Sequence, residues 1–407
     1  MDWGFVTDRL SATFRKETWV GAHERRFVSE TLYGMVRHMR RIDLALERGR
    51  RVKKVPRDLE RLLALLVLEH LIEPARAAAV ERDLDWNAVR GVDEVIALER
   101  RPVTRIALGA SLPDWLAQRL HDDWGDEAEA LALALNQRAP MTVRANTLVG
   151  DRDALAAELG KEGLATHPGQ WSETALVVDT RTNLFASAAF KRGAMEAQDE
   201  GSQLLAELAN PVTAKALVVD YCAGAGGKTL AIAARLANRG RIVASDVDGK
   251  KLEELRRRAR RAGVSNAQAI LIDGGGWPRE LDALRAKADV VFVDAPCSGI
   301  GALRRNPEAR WRLREADIAG FVARQTAIMK TAIGLAAPGA RVVYATCSLL
   351  TAENDGVANN LAGVEPVALS EVLGEERARA LGRQNALTVT PSKHGTDGFY
   401  ARVMKRV

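Results

Sequence analysis

The stretch Leu217-Val218-Val219-Asp220-Tyr221-Cys222-Ala223-Gly224-Ala225-Gly226-Gly227-Lys228-Thr229 decides the fold. A short β-branched run ends at Asp220, a glycine-rich turn follows, and an apolar helical segment begins behind it. Backbone at such a turn approaches a ligand closely, beside a helix N-terminus. Three cofactor classes use turns of this kind, and single positions exclude two of them. A Walker loop ending in Gly227-Lys228-Thr229 needs glycine where Cys222 stands. A dinucleotide turn beginning at Gly224 needs glycine where Thr229 stands. The turn suits instead S-adenosylmethionine (SAM), a nucleoside joined to an amino acid, which brings no phosphates.

Working outward, further β-branched runs occur at Arg241–Asp246, Ala269–Asp273, Val290–Asp294 and Arg341–Ala345, with helical segments such as Lys250–Ala262 and Asp317–Leu335 between them. Near-continuous apolar strands alternating with helices indicate an α/β, Rossmann-like parallel sheet covered on both faces. Asp246 ends the second run, where a carboxylate can accept the hydroxyls of a ribose. Asp273 ends the third and is placed to meet an adenine. A lone strand-end Asp commonly just caps a helix; two at successive strand ends beside the glycine turn favour cofactor contact.

The fourth and fifth runs lead into Asp294-Ala295-Pro296-Cys297-Ser298-Gly299 and Thr346-Cys347-Ser348, each placing a cysteine just past a strand's carboxyl end. Ligands bind along that edge of a doubly wound sheet. An isolated free cysteine is usually a small buried hydrophobe, and Cys222 is read that way in its side chain. Two at neighbouring strand exits suit covalent catalysis. C5 of cytosine is too poor a nucleophile to take a methyl group directly. A thiolate added to C6 makes C5 enamine-like, and a carboxyl group such as Asp294 near N3 would neutralise charge developing on the ring. A second thiol could then serve as base or relay when the C5 proton and the attacking thiol leave. The attacking thiol needs nearby positive charge to ionise, for which Arg304, Arg305 and Lys228 are candidates.

At these residues the chain resembles the RsmB-type RNA cytosine-C5 methyltransferases. The motifs are Cys222–Thr229, Asp246, Asp273, Asp294–Gly299, Arg304-Arg305-Asn306-Pro307 and Thr346-Cys347-Ser348, with Gln198–Ser202 and His394–Phe399 flanking them. The resemblance runs from about Arg144 to the C-terminus. It implies that Cys347 attacks C6, that Cys297 assists release, and that SAM is held by Cys222, Ala223, Gly224, Ala225, Gly226, Gly227, Lys228, Asp246, Asp273 and Asp294. One departure stands out: Gly224 and Ala225 occupy positions where the family usually has Ala-Pro, which gives a less stiff loop and bears on SAM affinity.

The first hundred residues read as helices, with Phe27, Leu32, Met35 and Val36 on one face and Leu62–Ile72 as a buried central helix entered after Pro56. Between His23 and Lys54 there are ten Arg or Lys against Glu24, Glu30, Asp43 and Glu47, an excess equal to the net charge of +6 for all 407 residues. A dense one-signed excess suits a nucleic-acid partner. Glu24–Val28 and Leu32–Arg37 resemble the NusB-like RNA-binding module of bacterial ribosomal RNA enzymes, which implies small-subunit ribosomal RNA as substrate. The expected division is a helical NusB-like domain over residues 1–105, linker helices and a small α+β RNA-binding module over 106–205 (its module beginning near Arg138), and a class I SAM-dependent methyltransferase domain over 206–407.

Three sparse cysteines, 47% hydrophobic and 28% charged residues suit a soluble chain in a reducing compartment, expected to be cytoplasmic. Met1–Arg9 lacks a signal-peptide pattern, and no stretch approaches the roughly 18 apolar residues of a membrane span. No cysteine or histidine spacing suggests a metal, and no protein partner is indicated. Two alternatives within RNA biology stay open: a transfer RNA substrate, and a non-catalytic ribosome assembly factor. Protein or small-molecule amines need no covalent activation, and DNA cytosine enzymes use one cysteine on the Pro-Cys loop.

Overall fold

The computed structural model describes residues 6–52, 54–179, 182–209, 213, 215–274 and 277–407. Met1–Phe5 and Lys53, which enter the leader and charge arguments, lie outside the described residues. The chain forms two compact units, one of residues 1–138 with 302–317, the other of residues 139–301 with 318–407.

The first unit is helical: Val6–Lys16, Ala22–Arg37, Met39–Gly49, Asp58–Leu68, Pro74–Val80, Trp86–Arg90, Val92–Ala97, Pro102–Gly109, Asp114–Trp124 and Ala128–Ala134. Its core collects Ile42, Leu46, Leu63, Val67, Trp86 and Val89. The central helix expected over Leu62–Ile72 runs instead over Asp58–Leu68, leaving Leu71 exposed beyond its end, and Glu60 at its third position accepts the Arg57 backbone amide at 2.5 Å, closing the first turn. Of the face read on the second helix, Val36 is buried while Phe27 is 54% exposed.

The segment 302–317 completes this unit rather than the catalytic sheet. Its anchor is Arg310, fully buried, which donates to the Ala110 carbonyl at 2.8 Å and the Asn136 side chain at 2.6 Å. Trp311 donates its indole N–H to the Val36 carbonyl at 2.8 Å. These contacts, and the helices up to Ala134 that pack with the unit, divide the chain differently from the three-part expectation. Carbonyl acceptors leave no trace in side-chain pattern, so the insertion could not be read from the sequence.

The second unit holds two sheets. In the smaller, β1 (Met141–Ala145), β2 (Thr166–Pro168), β3 (Ala175–Val178) and β4 (Met195–Ala197) pair antiparallel in the order β2-β3-β1-β4. The larger comprises β5 (Leu217–Asp220), β6 (Arg241–Asp246), β7 (Ala267–Leu271), β8 (Ala288–Asp294), β9 (Ala336–Thr346), β10 (Val364–Pro366), β11 (Gly382–Arg383), β12 (Ala386–Val389) and β13 (Phe399–Arg406). Its order is β11-β12-β13-β9-β8-β5-β6-β7, with β10 on β13. Strands β5 to β9 run parallel, and β13 enters antiparallel beside β9. Strand order reverses between β5 and β8, the crevice where ligands bind in doubly wound sheets.

Both faces are covered, as the apolar runs required. Leu204, Leu205, Leu208 and Ile232 pack on Val218, Ile242, Phe292 and Val343 on one side. Leu281, Met329 and Ile333 pack on Val219, Val291 and Tyr344 on the other. The smaller sheet docks onto this body through backbone contact: Asn146 donates to the carbonyls of both Gly193 and Ala262 at 2.8 Å. Gly193 lies at φ +78°, and a Cβ there would sit 1.9 Å from the Arg261 carbonyl oxygen.

Candidate active site

The carboxyl ends of β5, β6, β8 and β9 carry the glycine turn, Asp246, Asp294 and both Cys297 and Cys347. After β5 the chain makes a tight turn in which the Gly226 amide donates to the Ala223 carbonyl at 2.9 Å. Gly224 sits at φ +53°, where side chains are disfavoured, and an added Cβ would meet nothing within 4 Å. Gly226, at φ +83°, is close-packed instead, a Cβ there falling 2.6 Å from Leu255. The helix Gly227–Arg235 then starts, with its first amides unpaired by any capping side chain. Open space over a glycine beside a helix N-terminus is a cradle that a cofactor can fill.

Asp246 braces the turn from the end of β6. One oxygen accepts the Gly224 amide at 2.8 Å and the other accepts the Asp248 amide at 2.9 Å. Each retains a lone pair for a hydroxyl. Asp273 does not end a strand. The β6–β7 ladder stops at Asp246 opposite Leu271, so Asp273 lies two residues beyond, exposed on the following loop. The apolar residue Ile272 extends the run past the last paired residue, Leu271.

The two cysteines meet. Because β8 and β9 are adjacent and parallel with Asp294 opposite Ala345, their exits lie side by side. The Sγ atoms of Cys297 and Cys347 are 3.3 Å apart, within thiol hydrogen-bond reach, and both are half-buried. Lys228 forms an ion pair with Asp294. Burial opposes the Lys228 charge, but Asp294 and, behind it, Cys347 and Asp220 outweigh that and raise its pKa. Of the three cations considered for thiol activation, Lys228 shares a unit with the thiols; Arg304 and Arg305 belong to the helical unit, where Arg304 donates to the Arg138 carbonyl at 3.3 Å. Cys222 is different. Burial, followed by the charges of Asp246, Asp220 and Asp294, drives its thiol far up and keeps it protonated.

The flanking motifs are structural joints. Asp199 accepts the amides of Gly201, at 2.9 Å, and Asp397, at 3.2 Å, joining Gln198–Ser202 to His394–Phe399. A Cβ on Gly201 would strike the Phe399 ring at 2.6 Å.

Two buried carboxylates were not foreseen. Asp220 accepts the Thr229 hydroxyl at 2.6 Å, and burial pushes its pKa up to about 7. Glu353, fully buried, accepts the Ser298 amide at 2.9 Å, the Gln325 side-chain amide at 3.0 Å and the Ser348 hydroxyl. The only signal in the sequence was an acidic residue six positions after Cys347 behind the apolar pair Leu349-Leu350. Among the described residues no group of three or more His, Cys, Asp or Glu could hold a metal ion, and no helix is long and apolar enough to cross a membrane.

Residues 206–405 match the family described as 16S rRNA methyltransferase RsmB/F, and residues 112–184 match the ferredoxin-like domain of RsmF/B-like methyltransferases. A probable ribosomal RNA small subunit methyltransferase B from Synechocystis sp. is 30% identical over 418 residues, covering 94% of this chain and 91% of its own. The chain belongs to the RsmB/F methyltransferase family. A second relative, ribosomal RNA small subunit methyltransferase B of Xylella fastidiosa strain 9a5c, is 33% identical over 76% of this chain and 72% of its own. Among solved structures, the fold of this RsmB/F protein is similar to that of PH0851, with TM-score 0.75 and 24% identity over 97% of this chain and 93% of that one. It is similar also to NSun6 from Pyrococcus horikoshii with SFG, with TM-score 0.64 and 22% identity over 72% and 98%. The RsmB/F protein is a SAM-dependent RNA methyltransferase with a Rossmann-like catalytic fold.

Proposed function

We propose that this RsmB/F enzyme methylates C5 of a cytosine in small-subunit ribosomal RNA through a covalent cysteine adduct. The observation that carries the reading is the pair of thiols 3.3 Å apart at the exits of adjacent strands. A single nucleophile needs no such partner; a nucleophile and a group that helps it leave do. The names of the relatives support ribosomal RNA as substrate, and the free cysteines suit work in a reducing cytoplasm.

The turn Cys222–Lys228, with its open glycine and Asp246, fits SAM; Asp273 and Asp294 complete the proposed set. When bound, the cofactor supplies an electrophilic methyl group on a sulfonium. The Cys347 thiolate forms a bond to C6, the C5=C6 electron pair moves to the C4–C5 bond, and N3 takes up a proton delivered through Asp294 from the ammonium of its partner Lys228. C5 becomes the nucleophile. After methylation, loss of the C5 proton restores the double bond and expels the Cys347 sulfur, with Cys297 as the relay that gives its own proton to the departing sulfur and takes up the one from C5. The target base must leave its stack to reach the thiols, which an exposed RNA loop permits at least cost.

RNA capture belongs, in this reading, to the NusB-like helices and to the small sheet. Arg51 and Lys54 are exposed. Replacing both by Ala lowers RNA affinity and reduces the salt dependence of binding by about two counterions. An unchanged salt slope would remove this segment from the interface.

The test of the reaction uses labelled SAM with unmodified ribosomal RNA, digested to nucleosides after incubation. Label is expected in 5-methylcytidine, lost in Cys347→Ala, and a covalent RNA adduct is expected to persist in Cys297→Ala. Label appearing only with transfer RNA would change the substrate and keep the chemistry. No label in any cytosine-containing RNA would sink the reading.

A further inference from the structure

Glu353 stands in a place that a carboxylate occupies only at a cost. It is completely buried, and an isolated charge there is strongly disfavoured unless donors surround it. The donors are specific. Ser298, the residue after Cys297, gives both its amide, at 2.9 Å, and its hydroxyl; Ser348, the residue after Cys347, gives its hydroxyl. Gln325 donates to the same carboxylate at 3.0 Å and to the carbonyl of Pro296, the residue before Cys297, at 3.1 Å. The backbone carbonyl of Glu353 accepts the Tyr344 hydroxyl from β9. One side chain therefore ties together the residues following both thiols.

We propose that Glu353 is a positioning residue that holds the two cysteine loops in register and keeps the shared proton on Cys297, so that Cys347 presents the thiolate. This rests on the division of roles proposed above. Two thiols carry two protons; release of one to solvent leaves a single proton between sulfurs 3.3 Å apart. The surroundings are unlike on the two sides. Lys228 feels the charge of Cys347, whereas Glu353 takes both an amide and a hydroxyl from the Cys297 loop and a hydroxyl alone from the Cys347 loop. The Cys297 thiol is held well above its ordinary range, first by donating to Cys347, then by burial, then by the negative charges of Cys347 and Glu353. Among the described residues, Asp294 is ion-paired with Lys228, and Tyr344, which feels the charge of Cys297, has a hydroxyl that burial keeps protonated. A cation on one side and an anion on the other break the symmetry of two identical side chains.

Glu353→Gln separates charge from shape. Its amide oxygen keeps the Ser298 and Gln325 amides, and its nitrogen donates to the two serine hydroxyls, which rotate to accept. The full chain is treated with iodoacetamide across a pH series, and alkylation at each cysteine is measured by mass spectrometry. The wild type is expected to react first at Cys347. In Glu353→Gln the Cys347-to-Cys297 ratio is expected to fall about tenfold, the equivalent of one pKa unit. Methyl transfer slows in kcat with KM for RNA unchanged, and the melting temperature stays near wild type. A ratio unchanged in Glu353→Gln would overturn the proposal. If that variant fails to fold, the wild type still decides: Cys297 reacting ahead of Cys347 refutes the assignment. Failure of the catalytic reading is separable, because it appears as 5-methylcytidine formation surviving Cys347→Ala, whatever the alkylation ratio does.

Discussion

Asp220→Asn is expected to gain stability over the wild type as pH rises from the ordinary carboxylate range to about 7, and to hold that gain at higher pH. Asp220 ends β5 with 1% of its surface exposed; one oxygen accepts the Thr229 hydroxyl at 2.6 Å, and the other has no hydrogen-bond partner among the described residues. Burial, aided by the charges of Asp294 and Asp246 and opposed by the Thr229 bond, raises its pKa from 3.8 to about 7. The native state therefore keeps a proton that the unfolded chain has lost. Below 3.8 both states hold it and the stabilities do not diverge; between 3.8 and about 7 the native state loses stability as pH rises; above 7 the loss is complete. A span of about three pH units, at about 1.4 kcal/mol each, sets a ceiling of about 4 kcal/mol. Asn is neutral at every pH and keeps the Thr229 bond, so it escapes the loss. The difference between variant and wild type should grow by about 2–3 kcal/mol from pH ~5 to pH ~8. In calorimetry of the cofactor-free protein this is a rise of several degrees in the variant's relative melting temperature. Comparing the two pH values cancels any pH-independent effect of the substitution. A difference that stays flat would show that Asp220 is already ionised in the folded protein.

Gly193→Ala should unfold the docking of the small sheet: φ is +78° and the new Cβ would overlap the Arg261 carbonyl at 1.9 Å, so a loss above about 3 kcal/mol is expected in urea denaturation. Gly224→Ala meets open space and carries only the backbone strain of φ +53°, about 1–2 kcal/mol. Calorimetric titration should show SAM affinity reduced by about fivefold or more, and unchanged affinity would mean the turn is free to adopt another conformation. Arg310→Met removes the donor to Ala110 and Asn136; the Ala110 carbonyl keeps the Asn136 amide at 2.8 Å, but the buried Asn136 side-chain oxygen loses the Arg310 guanidinium. A cost of about 3 kcal/mol is expected in the melting of the helical unit, and a neutral result would deny that segment 302–317 is anchored there.

The sequence by itself determined the parallel sheet, because strands buried on both faces must be nearly all apolar and the helices between them must be amphipathic. Runs such as Leu217–Asp220 and Arg241–Asp246 coincide with β5 and β6. It also determined the glycine turn proposed to hold the cofactor, since glycine at 224 and 226 reports the positive φ those positions adopt, and it marked both cysteines by their place after strands. Strand adjacency was another matter. Nothing local says that β8 lies beside β9, and only that pairing turns two cysteines fifty residues apart into thiols in contact. The same holds for the buried carboxylates. Glu353 and Asp220 look like ordinary acidic residues until burial removes their water and specific donors replace it. The reach of Arg310 into the helical unit was invisible for a related reason, because its partners include main-chain carbonyls and every residue has one. Side-chain pattern records which face of an element is buried; it does not record against what, and the pairing of distant segments decided the rest.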